Sequence, residues 1–140
     1  MKILIAADGS HYTKRMLAYL GAHPELLGPK HDYTVVHSVL AVPHRAAAYV
    51  GADAMRRFYE EDAEAVFRPI RAYFEQQDIH AKYVHTVSHA AESIARLAEE
   101  GKFDLLVMGS HGHGELANLV LGSVVTKVLA KCSTPMLLVR

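Results

Sequence analysis

Three glycines and a serine carry the first chemistry this sequence suggests. Gly109 and Gly112 are followed, after nine residues, by Gly122-Ser123, all inside the stretch DLLVMGSHGHGELANLVLGSVVTKVLAK from Asp104 to Lys131. Before the glycines stands the unbroken apolar run Leu105-Leu106-Val107-Met108, which reads as a buried parallel strand. After them, Val124, Val125, Val128 and Leu129 mark an apolar helix. A strand, a glycine-rich turn and a helix start make a phosphate cradle. The glycines let the main chain approach closely, and the free N–H groups and dipole of the helix N-terminus favour an anion.

The spacing separates this cradle from commoner ones. There is no G-x-x-x-x-G-K-[ST], so it is not a P-loop. Gly112-x-Gly114-x-x-Ala117 imitates the dinucleotide fingerprint, but no Asp or Glu follows Glu115 to hold a ribose about twenty positions on. His111 and His113 are interleaved with the glycines, and the nearest following cation is Lys127. Phosphate charge would then rest on backbone N–H groups, Ser123, a metal ion or protonated histidine. The alternative is that both histidines are exposed polar loop residues. A transition-metal site is not supported, because the ten histidines and one cysteine show neither C-x-x-C nor H-E-x-x-H spacing.

A second candidate is Asp8, in the Asp8-Gly9-Ser10 turn after the apolar run at the start of the chain. It reads equally as a helix cap or as a ligand. A carboxylate beside phosphates repels them, so a ligand role implies a bridging Mg²⁺ or Mn²⁺, or contact with a ribose. His37, inside an apolar strand, reads as a satisfied structural histidine, and Cys132 as a small buried hydrophobe.

The elements that must position these residues follow from the apolar periods. Strands are expected at Lys2 to Ala7, Tyr33 to Val39, Lys82 to Thr86, Leu105 to Met108 and Pro135 to Val139. Helices are expected from Ser10 to Gly21 with Met16, Leu17 and Leu20 inward, from Ala52 to Gln77, from a Ser88 cap to Gly101, and after Gly122-Ser123. Met55, Phe58, Tyr59, Phe67, Ile70 and Phe74 fall near helical spacing along the long second helix, and Pro69 should kink or divide it. The stretch from Ala41 to Gly51 reads as a loop. This alternation predicts an α/β fold, a parallel sheet with helices on both faces and a ligand crevice where the winding reverses. Periodicity alone does not fix the strand order.

Composition bounds the rest. At 140 residues, a single domain over 1–140 is expected, large enough to bury about two-thirds of its unfolded surface. Formal net charge is zero, so the field of a nucleic-acid binder is missing. No window approaches a membrane span, and the first apolar run is too short for a signal-peptide core. One cysteine excludes an internal disulfide and agrees with a cytoplasmic setting.

The segments KILIAADGS, TVVHSV, DLLVMGSHGHGELANLVLGSVVTKVL and CSTPMLLVR together resemble the universal stress protein family, in its ATP-binding subclass, over nearly the whole chain. The resemblance implies a Rossmann-like, doubly wound five-stranded parallel sheet of order 3-2-1-4-5, adenine nucleotide binding, and homodimers built through the fifth strand, 135–139. Carried over, Ala7 and Asp8 match the end of the first strand near ribose and phosphates. Gly109, His111 and Gly112 match the loop beneath them. Gly122 and Ser123 match the phosphate-binding helix start, and Met108 and Val124 line the pocket. Ser38 stands where the family often has Val, at the position whose main chain reads the adenine edge, so the base pocket becomes slightly more polar.

Three functional readings remain open. The first is a cytoplasmic stress-response regulator that binds ATP or AMP as a homodimer, with Mg²⁺ or Mn²⁺ if Asp8 acts through the nucleotide. The second is a slow metal-dependent ATPase, which lacks an evident base to position water. The third is a dimeric interaction module with a vestigial pocket. A phosphoacceptor response regulator is disfavoured, since it needs an acidic pair after the first strand. The apolar run Met136-Leu137-Leu138-Val139 would be an exposed edge unless a twin covers it. If protonated His111 and His113 share the phosphate charge, ATP binds more tightly near pH 6 than near pH 8. Titrations giving one affinity at both pH values remove the histidines from that role.

Overall fold

The computed structural model describes residues 1–114 and 118–140. Glu115 and Ala117, the latter closing the dinucleotide-like spacing, lie outside the described residues. The strands are β1 (Lys2–Ala6), β2 (Asp32–Val39), β3 (Ala81–Val87), β4 (Leu105–Gly109) and β5 (Met136–Val139). The helices are α1 (His11–Gly21), α2 (His44–Val50), α3 (Ala52–Gln76), α4 (Ala90–Glu100) and α5 (Ser123–Lys131). All strand pairs are parallel and the sheet order is β3-β2-β1-β4-β5, the order the family resemblance implies.

β1 shows why the sheet is covered twice. Its residues alternate between faces, as the pleat requires. Ile3, Ile5 and the following Ala7 join a core with Met16, Leu17 and Leu20 of α1 and Phe67, Ile70 and Phe74 of α3. Leu4 and Ala6 join the opposite core with Ile94 and Ala98 of α4 and Val125 and Val128 of α5. β1 lies between β2 and β4, at Ile3↔Tyr33 on one side and Ile3↔Leu105 on the other. The chain leaves β1 towards β2 and β4 towards β5, so the winding reverses between β1 and β4. A crevice must open there beyond the carboxyl ends.

Four local expectations need correction. The segment expected as a loop from Ala41 to Gly51 contains α2, seven residues with none buried. Without a buried face it has no apolar period to read, although its alanines favour a helix. Pro69 does not divide α3, which runs unbroken through it. Buried Ala63 and Phe67 before the proline and Ile70 and Phe74 after it bind both halves to the core on the sheet, and this outweighs the penalty of about 3 kcal/mol for an interior proline. Phe58, expected on the same stripe, is 50% exposed. The residue before α4 is His89 rather than Ser88, whose hydroxyl instead meets Ser93 at 2.7 Å.

Phe74 is fully buried and packs against Tyr33 and Tyr73. Phe74→Ala is expected to destabilise the fold by about 3–5 kcal/mol, read from the urea unfolding midpoint. A loss below 1 kcal/mol, on the order of a surface change, would contradict this packing.

Candidate functional site

The Asp8 carboxylate is built from both sides. Gly9, at φ +75°, turns the chain out of β1. Asp8 Oδ1 then accepts from Ser10 N–H at 2.9 Å and from Thr13 Oγ at 3.1 Å. Neither Asp8 nor Ser10 makes the usual side-chain cap on α1, and Ser10 Oγ is buried without a partner among the described residues. With Oδ1 committed, Oδ2 faces Gly112, where an added Cβ would lie only 2.7 Å away. The glycine leaves that oxygen open.

The other glycines act through space as well. A Cβ on Gly109 would stand 2.7 Å from Tyr12 Cβ, so α1 packs directly on the end of β4. Gly122 donates its N–H to Ser110 O at 2.8 Å, and a Cβ there would press on His111 Cα and Ser110 O at 3.1 Å. The loop after β4 and the start of α5 are therefore in backbone contact. Thr126 N–H is taken by Gly122 O, while the N–H groups of Ser123, Val124 and Val125 have no backbone acceptor among the described residues. Three such amides, with the helix dipole behind them, present the donors that an anion needs.

The histidines fasten this end. His37 is buried, with Nδ1 2.9 Å from Ala7 O and Nε2 3.2 Å from Asp62 Oδ2 of α3. It is satisfied, as its place within a strand suggests. His113 Nε2 donates to Asp8 O at 2.7 Å, across the crevice. Consecutive carbonyls of β1's end are thus each held by a histidine, one from β2 and one from the glycine loop. His111 spans the loop, with Nδ1 2.8 Å from Ser110 Oγ and Nε2 2.9 Å from Leu119 O, and its ring lies beside Tyr12.

These elements enclose a cavity of about 240 Å³. Ala7, Asp8, Ser38, Met108, Gly109, His111, Gly112, Gly122, Ser123 and Val124 all line it, so the structure brings every residue of the expected set to one place. Sequence reasoning missed Thr13, Ala90 and Ile94, and did not count His37 or His113 among the ligand residues. Ala90 and Ile94 carried a usable signal: they share one face of α4 at an i, i+4 spacing. The α2 segment does not border the cavity; it leans on α3, where Val42 N–H meets Tyr59 Oη at 3.0 Å. No Lys or Arg lines the cavity among the described residues. No group of three or more His, Cys, Asp and Glu among the described residues could hold a metal ion alone.

The sequence model of the Universal stress protein family matches residues 1–140. The chain belongs to that family. A universal stress protein of Thermus aquaticus is 35% identical over 138 residues, covering 99% of this chain and 97% of that protein. Universal stress protein Slr1230 of Synechocystis sp. is 48% identical over 54 residues, 39% of this chain and only 19% of that longer protein. Among solved structures, protein MJ0577 of Methanocaldococcus jannaschii superposes with a TM-score of 0.76 at 24% identity, covering 99% of this chain and 94% of that one. The universal stress protein of Archaeoglobus fulgidus, solved in complex with dAMP, gives 0.69 at 19% identity, covering 100% and 98%. At these identities the two structures establish the universal stress protein fold for this chain.

Proposed function

We propose that this single-domain universal stress protein is a cytoplasmic stress-response regulator that binds an adenine nucleotide, ATP or AMP, and acts as a homodimer. One juxtaposition carries the reading. The first-turn amides of α5, which have no backbone acceptor among the described residues, stand against the glycine loop at one end of a cavity that is also lined by apolar side chains. A phosphate fits the amides, and Ala6, Val36, Ala90, Ile94 and Met108 offer apolar surface to a base. The dAMP complex of the Archaeoglobus relative supports the same ligand class.

In this reading Ala7, Gly109, Gly112 and His111 underlie the ribose and phosphates, and Gly122, Ser123 and Val124 hold the phosphate end. Met108 and Ser38 border the base. Asp8 fits two tasks through its open Oδ2: accepting a ribose hydroxyl, or meeting Mg²⁺ or Mn²⁺ brought in by the nucleotide. Such an ion would supply only charge neutralisation for the phosphates.

Dimerisation rests on β5. Among the described residues it pairs with β4 alone, leaving an edge of half-buried Met136, Leu137 and Leu138. Pairing with a second copy would cover that edge.

Purified protein is expected to carry ATP or AMP, or to bind ATP in the micromolar range, and Gly122→Val is expected to lose that binding while keeping its far-ultraviolet circular dichroism. No nucleotide and no binding at millimolar ATP would leave the glycines to the turn alone, and the interaction-module reading would replace this one. Light scattering is expected to give twice the 15.4 kDa of one chain; a single-chain mass across a wide concentration range would remove the dimer.

A further inference from the structure

Neither the cavity nor the β5 edge accounts for the outer side of α2 and the first half of α3. α2 has no buried residue, its Tyr49 is 93% exposed, and Leu40, Val50 and Phe58 stand exposed around it. Between the two helices runs an open groove of about 600 Å³, whose lining includes Ala47, Ala52, Met55 and Tyr59. Large apolar side chains gathered on one face of a small domain mark a contact surface. α3 packs on β2 and β3, whereas β5 lies at the opposite edge of the sheet, so this face is separate from the β5 edge.

The charges on this face indicate what fits it. From His44 to Arg57 the chain carries three arginines and one aspartate; from Phe58 to Glu64 it carries four carboxylates and no Lys or Arg. Some are committed: Asp53 to Arg56, Asp62 to His37 and Glu64 to Arg71. Arg45, Arg57, Glu60 and Glu61 are exposed and form no ion pair among the described residues. Arg57 precedes Glu61 by one turn, the weaker order for a pair within one helix. We propose that this face binds a second copy of itself, about a two-fold axis that passes α3 at the level of Tyr59. A surface positive on one side of such an axis and negative on the other is complementary to its own image. The two α3 helices then run antiparallel, with Arg57 of each copy against Glu61 of the other. Phe58 and Tyr49 of each copy are laid over the groove of the other. A partner of other chemistry must carry both signs in the matching order; a second copy does so by symmetry. One helix pair with a short flanking helix makes a contact at the low end of interface sizes, so the association is weak and driven by concentration.

Sedimentation velocity of the full chain, from micromolar to millimolar concentration, tests this. Wild type is expected to reach about twice its dilute-end mass or more as concentration rises. Arg57→Glu and Glu61→Arg each set like charges face to face. Each variant is expected to keep its dilute-end mass throughout, with unchanged far-ultraviolet circular dichroism. Mixed in equal parts, the two variants face each other with opposite charges again, and the growth in mass is expected to return. A wild type that does not grow overturns the proposal. So do single variants that grow as wild type does, and a mixture that stays as small as its components. The dilute-end mass reads the β5 edge separately: two chains there keep the β5 pairing and one chain removes it. In either case the mixture decides the α3 contact.

Discussion

Gly122 sits against the main chain of Ser110 and His111 so closely that a Cβ would force the neighbouring backbone to give way. Its N–H is bonded to Ser110 O, and the place of a Cβ is filled by backbone at 3.1 Å. That contact decides where α5 begins relative to the end of β4, and hence which way its unpaired amides point. Gly112 does the same for the Asp8 carboxylate, and Gly109 for the packing of α1 through Tyr12. None of these three glycines needs a positive φ. They are required for closeness of approach, and each closes a different side of one crevice.

The crevice exists because β1 feeds both cores and the winding reverses beside it. The same reversal makes the end of β1 an exposed turn that must be held. Two bonds hold it. His37 reaches Ala7 O from beneath, and through Asp62 ties it to α3; His113 reaches Asp8 O from the glycine loop. Asp8 can present one open carboxylate oxygen only because its backbone and its other oxygen are committed. Precise positioning of one group thus depends on four partners from β2, α1, the β1 turn and the loop after β4.

The sequence displayed the larger part of this. Strands buried on both faces must be apolar throughout, and Ile3–Ala6, Val35–Val36 and Leu105–Met108 are, so their number and parallel arrangement were legible. The cradle glycines were legible because three close approaches, to Tyr12, to the Asp8 carboxylate and to the Ser110–His111 backbone, impose a spacing. The misreadings have a common cause in tertiary context. Pro69 is unfavourable locally, but the buried stripe from Ala63 to Phe74 overrides it. α2 makes no buried contact that would leave an apolar period. Ser88 has the side chain of a helix cap, but Ser93 offers its hydroxyl a better partner. Ala90 and Ile94 share one face of the amphipathic α4 at an i, i+4 spacing, and the fold adds that this face borders a cavity.

The polar features of the cavity share a physical basis that side-chain identity conceals. Besides the Asp8 carboxylate, they are anchored on main-chain carbonyls: Ser110 O for the start of α5, Ala7 O and Asp8 O for His37 and His113, and His89 O for the Ser93 hydroxyl. A carbonyl accepts and never donates, so it fixes the direction of whatever hydrogen bonds are built upon it. At the β2 side this sets the Ser93 proton, which His89 O takes. At the α5 side it removes one amide from service and leaves three aimed outward. Every residue supplies such a carbonyl, so no sequence pattern marks the few that act as anchors. What marks them is that a strand or helix ends there with its acceptor still free, and the next element folds back to meet it.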